Sequence, residues 1–309
     1  MTLTQHIRNE MRLNRVRGSS EVYMHVIRIG SKAWYASDVV EREDMSGWQK
    51  QGDAMAMGIE QARQEGLKFF ADAGMNSPYA GSPEKSLTDR FVREHPEYVH
   101  PGHNKVCMDY RHKPVQDYGV SVIEELLTKY DVDGVNLDFG RWGFPDVYDH
   151  GSLVSVVARV HAVRRAAEGK WGHPIVVSTR VDYEAPPEEG APLPIFMGAL
   201  KQWAQAGHVD RAMVNVDKKL AVDLPLRHYA TLLKDTDTEL WGDLYWGTWH
   251  WKAGGPGKDL QIARAWAEQG VTGGLYYYMR VRPIEWEQIN WQLRLIDIPG
   301  EAVGPGDRF

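Results

Sequence analysis

From Glu21 onward, short runs of apolar residues take turns with longer stretches in which apolar positions recur at helical spacing. The runs Glu21–Ile29, Leu67–Asp72, Gly134–Phe139, Pro174–Val181, Arg211–Val216, Glu239–Tyr245 and Gly274–Met279 read as strands. Helical periodicity covers Thr2–Arg17, Asp53–Glu65, Val115–Tyr130, Ser152–Glu168, Ile195–Gln205, Leu226–Lys234 and Leu260–Gln269. Glycine closes several of these helices, at Gly66, Gly207 and Gly270, as expected of a residue that turns a chain out of a helix. Strand and helix in strict alternation predict a parallel sheet with crossover helices, an α/β fold.

No Gly/Ser linker or shift in composition divides the chain, so residues 1–309 are expected to form one (β/α)8 TIM-type barrel domain. Only seven strands are visible, and the helix Thr2–Arg17 has no strand before it. The simplest account is a barrel whose first strand is missing from the front; a short hidden strand, or a seven-stranded or partly open sheet, are the alternatives. An open edge invites pairing, so a neighbouring segment or a homo-oligomer would cover it. The stretch Gly74–Tyr110 carries Pro78, Pro83, Pro96 and Pro101 and forms a long βα loop, a candidate to cover substrate on the functional face of a barrel.

Because side chains alternate along a strand, each run can be divided into residues facing the helices and residues facing the barrel axis. In Gly134–Phe139, Val135 and Leu137 belong against helices, which turns Asn136 and Asp138 inward. Arg211–Val216 repeats the layout and turns Asn215 and Asp217 inward, while Ser178, Arg180 and Asp182 share the inner face between them. Carboxylates at C-terminal strand ends are where barrel enzymes keep their chemistry. Hydrolysis of a glycosidic bond needs two of them, one to protonate the leaving oxygen and one to act as nucleophile or base. Asp138 and Asp217 are the leading pair, with Asp182 or Glu184 as substitutes for Asp217.

Around them lie candidate binding groups. Arg141 favours the charged form of a neighbouring carboxylate, Trp142 offers a stacking wall, and Arg180 fits either a salt bridge or a substrate hydroxyl. Asp72 faces inward at the end of its strand. Asp243 sits among four tryptophans, of which Trp249 and Trp251 lie beyond the strand and suit stacking on a sugar ring. Tyr278 and Arg280 lie nearest the mouth on the last strand.

Composition narrows the partners. A net charge of -6 argues against a nucleic-acid backbone, while 12 Trp and 14 Tyr suit a carbohydrate partner. One cysteine, Cys107, excludes an internal disulfide framework. The histidines form no HxxxH or HxH pair, and no GxGxxG, GxxxxGK[ST] or GxSxG motif occurs, so no metal and no cofactor are expected. No apolar run reaches the roughly 18 residues of a membrane span, and Met1–Gly18 lacks a signal-peptide core, so a soluble chain, cytoplasmic as given, is expected.

From about Tyr23 to Leu295 the chain resembles the family-10-like glycosyl-hydrolase-like barrels, a group that includes bacterial enzymes acting on peptidoglycan glycan strands and other polysaccharides. The resemblance rests on Tyr23–Ser37, Leu67–Gly74, His95-Pro-Glu-Tyr-Val99, Tyr130–Arg141, Val209–Asn215 and Gly273–Tyr278, with Tyr130–Arg141 the strongest. It implies that Asp138 and Arg141 belong to the site and that one more strand precedes Tyr23–Ile29. Asn136 and Asn215-Val-Asp217 depart from the commonest members, which bears on substrate and on activity. Two other functions compete: an inactive carbohydrate-binding barrel using Trp142, Trp249 and Tyr278, and a metal-assisted lyase or isomerase with Asp72, Asp138 and Asp217 as ligands.

Overall fold

A computed structural model of the protein describes residues 2–16, 19–42, 51–76, 88–100, 107–140, 147–215, 226–243 and 264–275. Seven strands, β1 (Glu21–Arg28), β2 (Lys68–Gly74), β3 (Gly134–Asp138), β4 (Val176–Asp182), β5 (Arg211–Asn215), β6 (Glu239–Asp243) and β7 (Gly273–Leu275), form one sheet in sequence order. Every neighbouring pair is parallel. The helices are α1 (Leu3–Val16), α2 (Ala54–Gln64), α3 (Arg90–Glu94), α4 (Lys113–Lys129), α5 (His150–Trp171), α6 (Ile195–Gln205) and α7 (Arg227–Leu233), and residues 264–267 are also helical. Among the described helices none is long and apolar enough to cross a membrane.

The sheet is curled. In a flat sheet β1 and β5 would be about 19 Å apart, four strand spacings. Instead the Arg211 guanidinium on β5 meets the Glu21 carboxylate on β1 at 2.7 Å and donates to the Tyr23 hydroxyl, beneath the aromatic faces of Phe70 and Trp241. This clasp ties the N-terminal ends of the strands together through the interior. Among the described residues the ladder runs from β1 to β7 without closing, a barrel-type sheet short of one strand.

The outward strand residues Val135, Leu137, Val177, Val181, Ala212 and Val214 are fully buried in one core with Leu126, Val156, Leu200 and Trp203 of the helices. Pattern and structure agree here because a parallel sheet covered by helices leaves no other place for those side chains. Element ends moved by a few residues. Helix α5 runs on to Trp171, past Glu168, because Gly169 weakens a helix without ending it and Gly172, at φ 79°, does end it. Strand β4 reaches Asp182, which pairs with Asn215 of β5. The helix-closing glycines Gly66, Gly207 and Gly270 all have positive φ.

Two local features shape the mouth. The register of β1 on β2 slips between His25 and Ile27, so Val26 is the extra residue of a bulge. Its carbonyl accepts the Trp34 amide at 3.0 Å, which folds the following segment back on the strand end. Between β2 and α4, Asp89 caps α3 through the Phe91 amide and also accepts from the Glu41 amide and the Tyr118 hydroxyl.

Candidate active site

Inside the curl, at the C-terminal strand ends, Arg180 of β4 stands between two carboxylates. It donates to Asp138 of β3 at 2.8 Å and, through Nε and Nη2, to one oxygen of Asp243 of β6 at 2.6 Å. All three side chains are essentially shut off from solvent. Asp138 also accepts the Gly140 amide at 3.0 Å, which fixes its orientation at the turn out of β3. Burial, with the nearby Asp138 and Asp72 charges, outweighs Arg180 and pushes Asp243 up to about 6. Its second oxygen is buried with no hydrogen-bond partner among the described residues.

A second chain of contacts crosses β4, β3, β2 and β1. Ser178 donates to the Asn136 carbonyl oxygen at 3.0 Å, the Asn136 amide donates to one oxygen of Asp72 at 2.6 Å, and the other Asp72 oxygen meets Nδ1 of His25 at 2.8 Å. Burial alone would raise Asp72, but His25, Asn136 and Arg180 together hold it below the ordinary carboxylate range.

Asp182, at the tip of β4, has a different setting. It is partly open to solvent and accepts the Asn215 amide at 2.6 Å; Asn215 donates also to the Gly140 carbonyl at 3.1 Å. Burial, with the repulsion of Asp138 and Asp243, overcomes Asn215 and Arg180 and raises Asp182 to about 7. It therefore sits among charged neighbours as a group that holds a proton near neutrality.

The structure thus gathers Asp72, Asn136, Asp138, Arg180, Asp182, Asn215 and Asp243. Glu184 has another occupation: its carboxylate accepts the Phe196 and Met197 amides at 3.2 and 2.8 Å and so caps the start of α6. Both oxygens are used there, because residues 185–194 bring the helix N-terminus back to the strand from which the chain left. Asp217, Arg141, Trp142, Trp249, Tyr278 and Arg280, and Trp251 with them, lie outside the described residues. Sequence reasoning missed His25. The signal was the parity of Glu21, Tyr23 and His25, which share the inner face of β1. Among the described residues no three His, Cys, Asp or Glu side chains are grouped to hold a metal ion.

A curled parallel sheet with its helices packed outside is a fold of the (β/α)-barrel type. The solved structures it is similar to have that barrel. They include a GH36 α-galactosidase from Geobacillus stearothermophilus (14% identity, TM-score 0.51, 95% of this chain and 39% of that one). They include also the galactosidase domain of an α-galactosidase-sucrose kinase (14%, 0.54, 96% and 38%) and an α-L-fucosidase (13%, 0.51, 94% and 78%). The chain spans about two fifths of the length of those α-galactosidases. Within the chain, residues 5–144, from α1 through β3 and past Asp138, match the family described as Glycosyl hydrolase-like 10, the group whose resemblance the motifs carried. No curated protein sequence matches the chain.

Proposed function

We propose that this protein hydrolyses an O-glycosidic bond in a poly- or oligosaccharide, with Asp138 as nucleophile or base and a second carboxyl group as acid. The observation that carries this reading is the contrast between two carboxyls on adjacent strands. Asp138 is ion-paired with Arg180, whereas Asp182 is raised to about 7. A carboxyl held by an arginine beside one that keeps its proton is the usual division between base and acid. Asp182 is the acid that the described geometry favours; Asp217, from the strand pattern, is its rival.

The test is turnover of a panel of aryl glycosides that includes α-galactosides and α-L-fucosides, since glycosidases of those kinds share the barrel. Asp138→Asn is expected to abolish turnover with the fold intact, and near-normal turnover overturns the assignment. The acid is identified by its leaving-group dependence. Asp182→Asn is expected to lose roughly 10²–10⁴-fold on poor leaving groups and to keep activity on dinitrophenyl glycosides, which depart without a proton. If Asp217→Asn behaves this way instead, the acid is Asp217.

A further inference from the structure

We propose that His25 is a saccharide-contacting residue, one face of a subsite whose other face is Trp34. The inference rests on the carbohydrate part of the reading above and adds a residue to it. Three observations converge on this imidazole.

First, its orientation is fixed by a chain of partners rather than by packing alone. Asp72 takes Nδ1 of His25 at 2.8 Å, and Asp72 is itself held at its other oxygen by Asn136, which is held by Ser178. An ionised carboxylate accepts hydrogen bonds only, so Nδ1 carries a proton toward Asp72. The ring then presents Nε2 on its far side, an acceptor when the ring is neutral and a donor when it is charged. Asp72, Asn136 and Ser178 are positioning residues in this scheme.

Second, the ring is not sealed. The His25 side chain keeps 12% of its exposure, whereas its Asp72 partner keeps 2%. Third, the bulge at Val26 returns the chain so that the Trp34 indole lies edge-on to the imidazole, with ring centroids 5.4 Å apart at 84°. Trp34 is 36% exposed, one of few large apolar side chains left open among the described residues. A flat, partly open indole beside an oriented hydrogen-bonding ring suits a sugar, which presents C–H faces and hydroxyl edges together. Bulges next to barrel rims commonly re-aim side chains in this way.

The test has two arms. In the first, histidine-selective nitrogen NMR of the intact protein reads the tautomer, and galactose, fucose, glucose and N-acetylglucosamine are titrated in, with calorimetry reporting which of them bind. The expected result is a ring protonated at Nδ1 whose Nε2 resonance moves saturably with a bound sugar. A ring protonated at Nε2 alone, a sugar that binds without moving that resonance, or binding by none of the four overturns the inference.

In the second, His25→Asn is assayed on any aryl glycoside that the wild type cleaves, because its amide reaches the place of Nδ1 but not that of Nε2. Loss of one hydrogen bond to a neutral hydroxyl is expected to raise KM about three- to tenfold with kcat little changed and thermal unfolding preserved. An unchanged KM overturns the proposal. The two readings fail separately: a wild type that cleaves no glycoside but binds sugar at His25 removes the hydrolase and leaves the subsite, whereas full turnover with an indifferent His25 does the reverse.

Discussion

Among the described residues Arg180 is the cation between Asp138 and Asp243, and Asp182, one alternation further along the same strand, is raised mainly by its burial. A carboxyl raised from about 4 to about 7 holds a proton in the folded chain that the unfolded chain releases. The folded state binds more protons in that window, so the contribution of Asp182 to stability is present below about pH 4 and is lost as pH rises through about 7. Asp243 adds a slope of the same sign up to about 6. Urea unfolding of wild type and Asp182→Asn across this range is expected to give a flatter pH dependence for the variant. Equal slopes would mean that Asp182 ionises in the fold much as it does in water. At this scale the sequence was informative where apolar neighbours set the phase. Val135 and Leu137 oriented Asp138, and Val177 and Val181 oriented Arg180 and Asp182. In β1 the run Val22–Ile29 mixes both faces, and the bulge at Val26 ends the alternation just past His25, so the parity of Glu21, Tyr23 and His25 was a short signal.

Elements begin and end through contacts that periodicity does not encode. Glu184 looked like a carboxyl at a strand end, but its place depends on how residues 185–194 return α6 to the tip of β4. Its substitution therefore belongs to helix capping. Glu184→Ala is expected to lose about 0.5–2 kcal/mol of stability and to leave kcat unaltered, measured by denaturant unfolding beside the glycoside assay. A collapse of kcat with stability kept would return Glu184 to the chemistry. The caps that did follow from local sequence are those whose partners are a few residues away, such as Asp149 with Ser152 at the start of α5. The repeated Asn-x-Asp pattern reads as two inward pairs, of which Asp217 lies outside the described residues, and the two asparagines have different work. Asn136 orients Asp72 toward His25, while Asn215 reaches Asp182 and the Gly140 carbonyl.

For the molecule as a whole, order and direction of the strands were readable because each βα unit is local, whereas the curl that brings distant strands together was not. Glu21 and Arg211 are 190 residues apart, and nothing near either one names the other. Arg211→Met strips the half-buried Glu21 of its guanidinium and leaves Tyr23 its bond to Glu21, and the expected cost is about 1–3 kcal/mol. Amide exchange should then quicken more in β1 than in β3, whose ladder neighbours on both sides remain. A loss below about 1 kcal/mol in urea would show that the curl is held by the helices alone.

The same clasp bears on the order in which the chain acquires its form. Each strand can pair with its predecessor as soon as it is made, so the ladder can grow from β1 toward β7 by short-range steps. Glu21 and Tyr23, made 190 and 188 residues before Arg211, hold only each other until its guanidinium arrives. During synthesis, then, the β1 side of the sheet waits on a residue made well after it for its final state.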